Sequence, residues 1–217
     1  QRALPEQEHA RVTAYLMAKW RVSAAVAVPD TEPTQPAAGL SHSPMLGAVS
    51  ETTAAIWLRT HTPGEVRISL TAEKQEPKTV VLRTEERADH TAVARFQDLL
   101  PGTSYTYTIS TESGAPVEGT FRTFEPALKE RTIRLVYGYG YSPGNRMVND
   151  SIFAHMAKRG GDIVVFIGDF PYTSQGKRLE IYTQNKVIRG NEGFSLLTRE
   201  TPTCAVWDDH DFGPNDC

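Results

Sequence analysis

Asp162-Ile163-Val164-Val165-Phe166-Ile167-Gly168-Asp169-Phe170-Pro171-Tyr172 decides how the second half of this chain folds. A short unbroken apolar run, mostly β-branched, reads as a buried strand, and the glycine after it ends the strand. Asp169 then stands at the strand's tip. Ligands in open α/β sheets gather outside the carboxyl ends of the strands, so this aspartate is a candidate for chemistry.

Upstream, Ile133 to Tyr137 reads as another strand, followed by the loop Gly138-Tyr139-Gly140-Tyr141-Ser142 and a helix over Asp150 to Arg159. Asp150 suits the N-cap, Lys158 and Arg159 suit the negative C-terminal end, and Gly160-Gly161 stops the helix. His155 lies one turn beyond Ile152, where it packs or meets solvent. A strand-helix-strand unit crosses over right-handed and pairs its strands in parallel. The Gly138 to Ser142 loop and the Asp169 loop are therefore expected on one edge of the sheet.

Downstream, Thr203-Cys204-Ala205-Val206-Trp207 reads as a third buried strand, with Cys204 as a small buried hydrophobe. It runs into Trp207-Asp208-Asp209-His210-Asp211-Phe212-Gly213-Pro214-Asn215-Asp216, which holds four carboxylates, an imidazole and an amide. A single aspartate there commonly caps a turn, but a packed core needs no such cluster. Oxygen-rich sets favour hard cations, and His and Tyr extend the choice to zinc, manganese or iron. Two cations sharing a carboxylate can clamp both oxygens of a phosphoryl transfer. A helix is also expected over Leu179 to Arg189. On and beside it Lys177, Arg178, Lys186 and Arg189 either meet a substrate phosphate or form a plain solvated face.

Gly168-Asp169-x-x-Tyr172 together with the Trp207 to Asp216 run resembles the alkaline phosphatase D, or PhoD-like, family of metallophosphatases. The resemblance implies hydrolysis of phosphate mono- or diesters outside the cytoplasm, with two divalent or trivalent metal ions, commonly iron and calcium. It makes Asp169 the bridging ligand, Tyr172 a ligand to the redox-active or trivalent ion, and Asp209 and Asn215 ligands on the second side. His210 would contact the phosphate or the leaving group, with Asp208 as its acidic helper. One departure concerns the first catalytic strand, where the family carries Gly-Ser-Cys and this chain has no cysteine. An oxygen-only site with Tyr139 or Tyr141 as helper then competes with a loop that only packs beneath the site. The other departure is length: the family continues past the Asn-Asp pair, so the chain is expected to be a partial catalytic domain, inactive alone, whose sheet of three or so strands leaves an unpaired edge and an open core face.

From Pro44 to Phe124 short strands recur at intervals that indicate a sandwich. They are expected over Thr53 to Arg59, Val66 to Leu70, Thr79 to Leu82, Thr91 to Phe96 and Phe121 to Phe124. Another follows the Pro101-Gly102 turn, with Tyr105, Tyr107 and Ile109 on one face. Leu99-Leu100-Pro101-Gly102-Thr103-Ser104-Tyr105 with Trp57 resembles the fibronectin type III family, in which such aromatics are core residues. The expected organisation is residues 1–43 as a helical segment and Pro-rich linker, 44–124 as this fibronectin type III-like β-sandwich, and 125–217 as a partial α/β metallophosphoesterase-like domain.

A hydrophobic fraction of 39% supports globular burial, and a net charge of −3 gives no sign of a nucleic-acid partner. No window is long and apolar enough to span a membrane, and Val22 to Val28 does not make a signal peptide. The two cysteines match neither a zinc nor a redox motif, and pairing Cys204 with Cys217 requires a tight fold-back. The rival to a hydrolase is a binding or structural protein that uses the sandwich as its interaction module.

Overall fold

The computed structural model of the protein describes residues 39–126, 132–143, 151–173 and 177–216. The helix expected in the first 28 residues, most of the Pro-rich linker, Asp150 and Cys217 lie outside them. Residues 35–217 form one compact unit.

Strands β1 (Leu40–Gly47), β2 (Ala54–Thr60), β3 (Gly64–Ala72), β4 (Gln75–Thr84), β5 (Thr91–Phe96), β6 (Ser104–Thr111) and β7 (Val117–Arg122) build the front half. The rear half contains β8 (Leu135–Gly138), α1 (Ile152–Arg159), β9 (Ile163–Ile167), α2 (Arg178–Arg189), α3 (Glu192–Glu200) and β10 (Thr203–Val206). One sheet runs β4-β3-β6-β7, and the other runs β5-β2-β1-β10-β9-β8. The second sheet therefore passes through both expected domains. Its front part is antiparallel, its rear part is parallel as the crossover predicted, and β1 joins them through the pair Gly47 and Thr203. A Cβ on Gly47 would stand 3.3 Å from the Thr203 carbonyl oxygen.

Alternation explains the front half. Ile56 and Leu58 from β2, Val66, Ile68 and Leu70 from β3, and Tyr105, Tyr107 and Ile109 from β6 meet in one buried core. The Tyr105 hydroxyl accepts from the Leu100 N–H at 2.7 Å and donates to the Gln75 side chain, a corner bond that ties the strand to its preceding turn. Tyr107 reaches further: its hydroxyl donates to the Arg199 carbonyl at 3.0 Å, so the sandwich core ends on α3. Gly119 makes room for that ring, since a Cβ there would fall 2.3 Å from the hydroxyl.

Trp57 lies on the face opposite Ile56 and Leu58, as the alternation implies, and so outside the sandwich core in which the resemblance placed it. It pairs with Met45 and Val93 on the face away from the sandwich core, where the Arg189 guanidinium lies 5.2 Å from its ring centre. Period-two alternation with Ile56 and Leu58 inward forces it out, and α2 covers it instead.

The rear half has its own core, in which Val164 and Phe166 pack on Phe153, Ile188, Phe194 and Leu197 from the three helices. Phe166 stacks on Phe170 at 3.6 Å, and Phe153 meets both edge-on. Asn191 caps α3 by accepting the Phe194 N–H at 2.9 Å, and Gly193 lets α3 approach α1, where a Cβ would meet the Ala154 nitrogen at 2.7 Å. The opposite face of this parallel segment is bare: Leu135, Tyr137, Ile167 and Val206 are all exposed, Tyr137 by 66%. That corrects the reading of β10 as a buried strand and of Cys204 as a buried residue, since Cys204 is free and exposed. An apolar run implies cover, but cover depends on layers that the run itself does not encode.

Candidate metal centre

The two expected tips converge. Gly168 has φ 104, and a Cβ on it would stand 2.6 Å from the Asp208 Cβ, so only glycine lets the loop after β10 pass so close. Asp169 follows at φ 53, a left-handed conformation that aspartate tolerates better than most residues, and it is 4% exposed. Asp211 holds it there. Its carboxylate accepts the N–H groups of Asp169 and Phe170 at 2.9 Å each and that of Asp208 at 2.7 Å, which pins the β9 loop to the β10 loop. Asp208 and Asp211 also form a capping box on the 3-10 turn Asp209–Asp211. The capping role foreseen for single aspartates in this run is therefore present alongside the cluster.

Around that pin the carboxylates of Asp169, Asp208 and Asp209 bring one oxygen each within 4.8 Å of the others. Oxygen ligands stand about 2.0 to 2.6 Å from a hard cation, so a ligand pair around one ion lies within about 5 Å. The three acids fit such an ion. Asp209 accepts the N–H groups of Asp216 at 2.6 Å and His210 at 2.8 Å, and these bonds outweigh burial to hold its carboxyl below the usual range. The Tyr139 hydroxyl donates to Asp169; that bond, together with desolvation and the nearby carboxylates, pushes its pKa up to about 12. Tyr141 is buried instead, edge-on to Phe153 at 4.7 Å, while its backbone N–H donates to the Asp169 carbonyl at 3.1 Å. Of these two tyrosines, Tyr139 bonds an acid of the cluster and Tyr141 packs in the core beneath it.

Tyr172, His210 and Asn215 form a second group. The imidazole, 7% exposed, stacks on the Tyr172 ring at 3.9 Å. Its Nδ1 stands 2.8 Å from the Thr173 carbonyl, which can only accept, so Nδ1 carries the proton and Nε2 takes the Tyr172 hydroxyl at 2.8 Å. The Asn215 side chain also bonds the ring. Burial lowers the His210 pKa, but the Thr173 carbonyl and the Asp209 and Asp169 carboxylates outweigh it, and the net shift is upward. Tyr172 thus lies against His210, and Asp208 lies with Asp169 and Asp209. The two groups touch where the His210 N–H donates to Asp169 at 3.3 Å and where His210 Nε2 stands 4.0 Å from Asp209.

The cations of α2 are not at this centre. Lys186 pairs with Asp89 at 2.8 Å, Arg189 lies on Trp57, and Arg178 lies 5.4 Å from the Tyr182 ring centre. Neither a phosphate contact nor a plain solvated face describes Lys186 and Arg189; both belong to the contact with the sandwich.

A family model described as a domain of unknown function (DUF7800) matches residues 37–123, the sandwich. No curated protein matches the chain in sequence. Among solved structures it is similar to PhoD, with TM-score 0.69 and 13% identity over 80% of this chain and 40% of that one. It is also similar to the purple acid phosphatase PPD1 from yellow lupin (Lupinus luteus) seeds, with TM-score 0.58 and 12% identity over 78% of this chain and 36% of that one. What the chain shares with both is a fold. It spans less than half the length of either protein. Among the described residues no helix is long and apolar enough to cross a membrane.

Proposed function

We propose that the protein belongs to a metal-dependent phosphatase or phosphodiesterase that hydrolyses phosphate mono- or diesters. The observation that carries this reading is the convergence of Asp169, Asp208 and Asp209 at the ends of adjacent parallel strands. These three would hold a hard cation, with Tyr139 bonded to Asp169 at the rim. A cation bound there supplies Lewis-acid polarisation of a phosphoryl oxygen and a lowered pKa for water.

The chain's own residues do the rest. Asp211 fixes both loops through three N–H groups, so the ligands are positioned before substrate arrives. Thr173 keeps the Nδ1 proton of His210 in place, which confines proton exchange with an ester oxygen to Nε2. Tyr172 and Asn215 orient that nitrogen. In the binuclear form of this reading Asp169 and Asn215 would be the residues that hold the second ion. Iron and calcium are the pair suggested by the PhoD likeness, and a location outside the cytoplasm rests on the same likeness. With no thiolate at the tip of β8, oxygen ligands and hard cations are favoured.

The test is metal content by mass spectrometry after loading with iron, calcium or manganese, together with hydrolysis of 4-nitrophenyl phosphate by the loaded full-length protein that contains this chain. Asp169→Asn is expected to abolish stoichiometric metal and lower turnover by about 100-fold or more. Equal metal and equal turnover in both proteins would end the proposal. Tip residues Gly138-Tyr139-Gly140, which lack the thiolate, favour a second reading as a binding protein on the same scaffold; metal retention with no turnover by the full-length protein would select it.

A further inference from the structure

Helix α2 crosses the outer face of the sandwich sheet and leaves beside it a half-open cavity of about 210 Å³. His42 and Trp57 line one side, and Ile181, Tyr182, Lys186 and Arg189 line the other. None of the three clustered aspartates borders it. Its charges do not balance. Asp89, the one carboxylate in its wall, is already held by Arg59 at 3.1 and 3.3 Å and by Lys186 at 2.8 Å. Arg59 places its remaining nitrogen on the Ser41 hydroxyl at 2.8 Å.

Arg189 has no such partner. Its Nη1 donates to the carbonyl and the side-chain oxygen of Asn185, its Nε is buried without an acceptor, and no carboxylate among the described residues lies within ion-pair distance. Burial alone pulls its pKa down to about 10. His42 adds no charge at neutral pH, because burial and then Arg59 lower its pKa, and its ring is bonded to Ser41 and the Lys186 carbonyl. Three cations thus face one carboxylate, and a half-buried guanidinium lacks a counter-ion. Such a charge is unfavourable until an anion joins it.

The walls select the rest of the ligand. Trp57, Tyr182 and Ile181 offer flat or apolar surfaces, and the volume exceeds the roughly 150 Å³ that accepts a benzene ring. The room is for one ring and one anionic group. A planar guanidinium with a free Nη2 suits a carboxylate. We propose that this cavity binds a small monocarboxylate carrying a single six-membered ring, with the carboxylate on Arg189 and the ring between Trp57 and Tyr182. Such a ligand would also brace α2 against β2.

Benzoate is the probe, with benzamide as its neutral counterpart and inorganic phosphate as the ringless anion. Calorimetry and the indole N–H resonance of Trp57 read binding to the whole 217-residue chain. Saturable one-to-one binding of benzoate is expected, with benzamide and phosphate each weaker by about tenfold or more. Arg189→Gln is expected to lose about the same factor for benzoate and little for benzamide. Tyr182→Ala changes a residue that is 41% exposed, so the fold is expected to tolerate it, and it should weaken benzoate several-fold; it decides the matter if Arg189→Gln does not fold. Absence of saturable benzoate binding, equal affinity for benzoate and benzamide, or unchanged binding in Tyr182→Ala would each overturn the proposal. A preference for phosphate over benzoate would overturn it as well.

Discussion

The two halves of the six-stranded sheet differ in how they are covered. In front, β5-β2-β1 faces the four-stranded sheet, and its inward side chains are almost all buried. Behind, β10-β9-β8 is packed by helices on one face and exposes Leu135, Tyr137, Ile167 and Val206 on the other. Among the described residues one layer, the aromatic cluster beneath β9, packs the rear half, and the candidate centre lies at the strand ends beside it.

Removing a ring from the cluster is the strongest way to break the comparison. Phe166→Ala should cost about 3 to 5 kcal/mol, as large aromatic truncations do. Hydrogen exchange should show protection lost in β8, β9 and β10 while the sandwich amides stay protected; uniform loss across both halves would mean that they unfold as one. Asp211→Ala comes next, at about 2 to 4 kcal/mol, because three N–H groups lose a charged acceptor at once. Metal affinity should fall in that variant although Asp211 lies outside the three-acid cluster, and unchanged affinity measured by titration would show that the pin is not needed. Gly168→Ala should cost about 1 to 3 kcal/mol through its positive φ and the clash with Asp208, with the damage again confined to the rear half in exchange measurements.

The smallest effect belongs to the contact between the halves. Asp89→Asn keeps a residue that accepts the left-handed φ of 51 but removes the ion pairs to Arg59 and Lys186, and about 1 kcal/mol should go with them. Burial raises the Asp89 pKa, yet the Arg59 and Lys186 bonds prevail, and it lies below the ordinary 3.8. The unfolded chain thus binds this proton more readily, so the contribution is complete above that value and fades as the pH falls through the folded pKa. Denaturant titrations of both proteins should converge at acid pH, and a gap that persists there would contradict the assignment.

What could be read in advance follows the same division. Alternation in Val66 to Leu70 and in Tyr105 to Ile109 announced the sandwich because both faces of each strand have distinct fates. Strand β1 gave no such signal: Ser41, His42, Ser43 and Pro44 break the pattern, and the pairing with β2 shifts register twice. Helix α3 was hidden by Gly193, which reads as a breaker and serves as a contact with α1. In the site, the acid cluster was legible from composition and strand ends. The hold of Asp211 on the β9 loop was not, since those two partners are backbone N–H groups about 40 residues away that no side-chain pattern marks. Trp57 and Cys204 were misjudged for one reason: an apolar residue reveals that it prefers cover, and the rest of the fold decides whether cover arrives.

Strand β1 also sets an order of events. It joins the sheet's halves by pairing with Thr203, more than 150 residues later in the chain. During synthesis the amino-terminal parts of a protein generally fold first, so the sandwich can form with the outer edge of β1 unclaimed until β10 has left the ribosome. An open edge of that kind invites pairing with other chains. Pro44 and the two register shifts, which obscured the strand to a reader of the sequence, make it a poor template for a stranger while it waits.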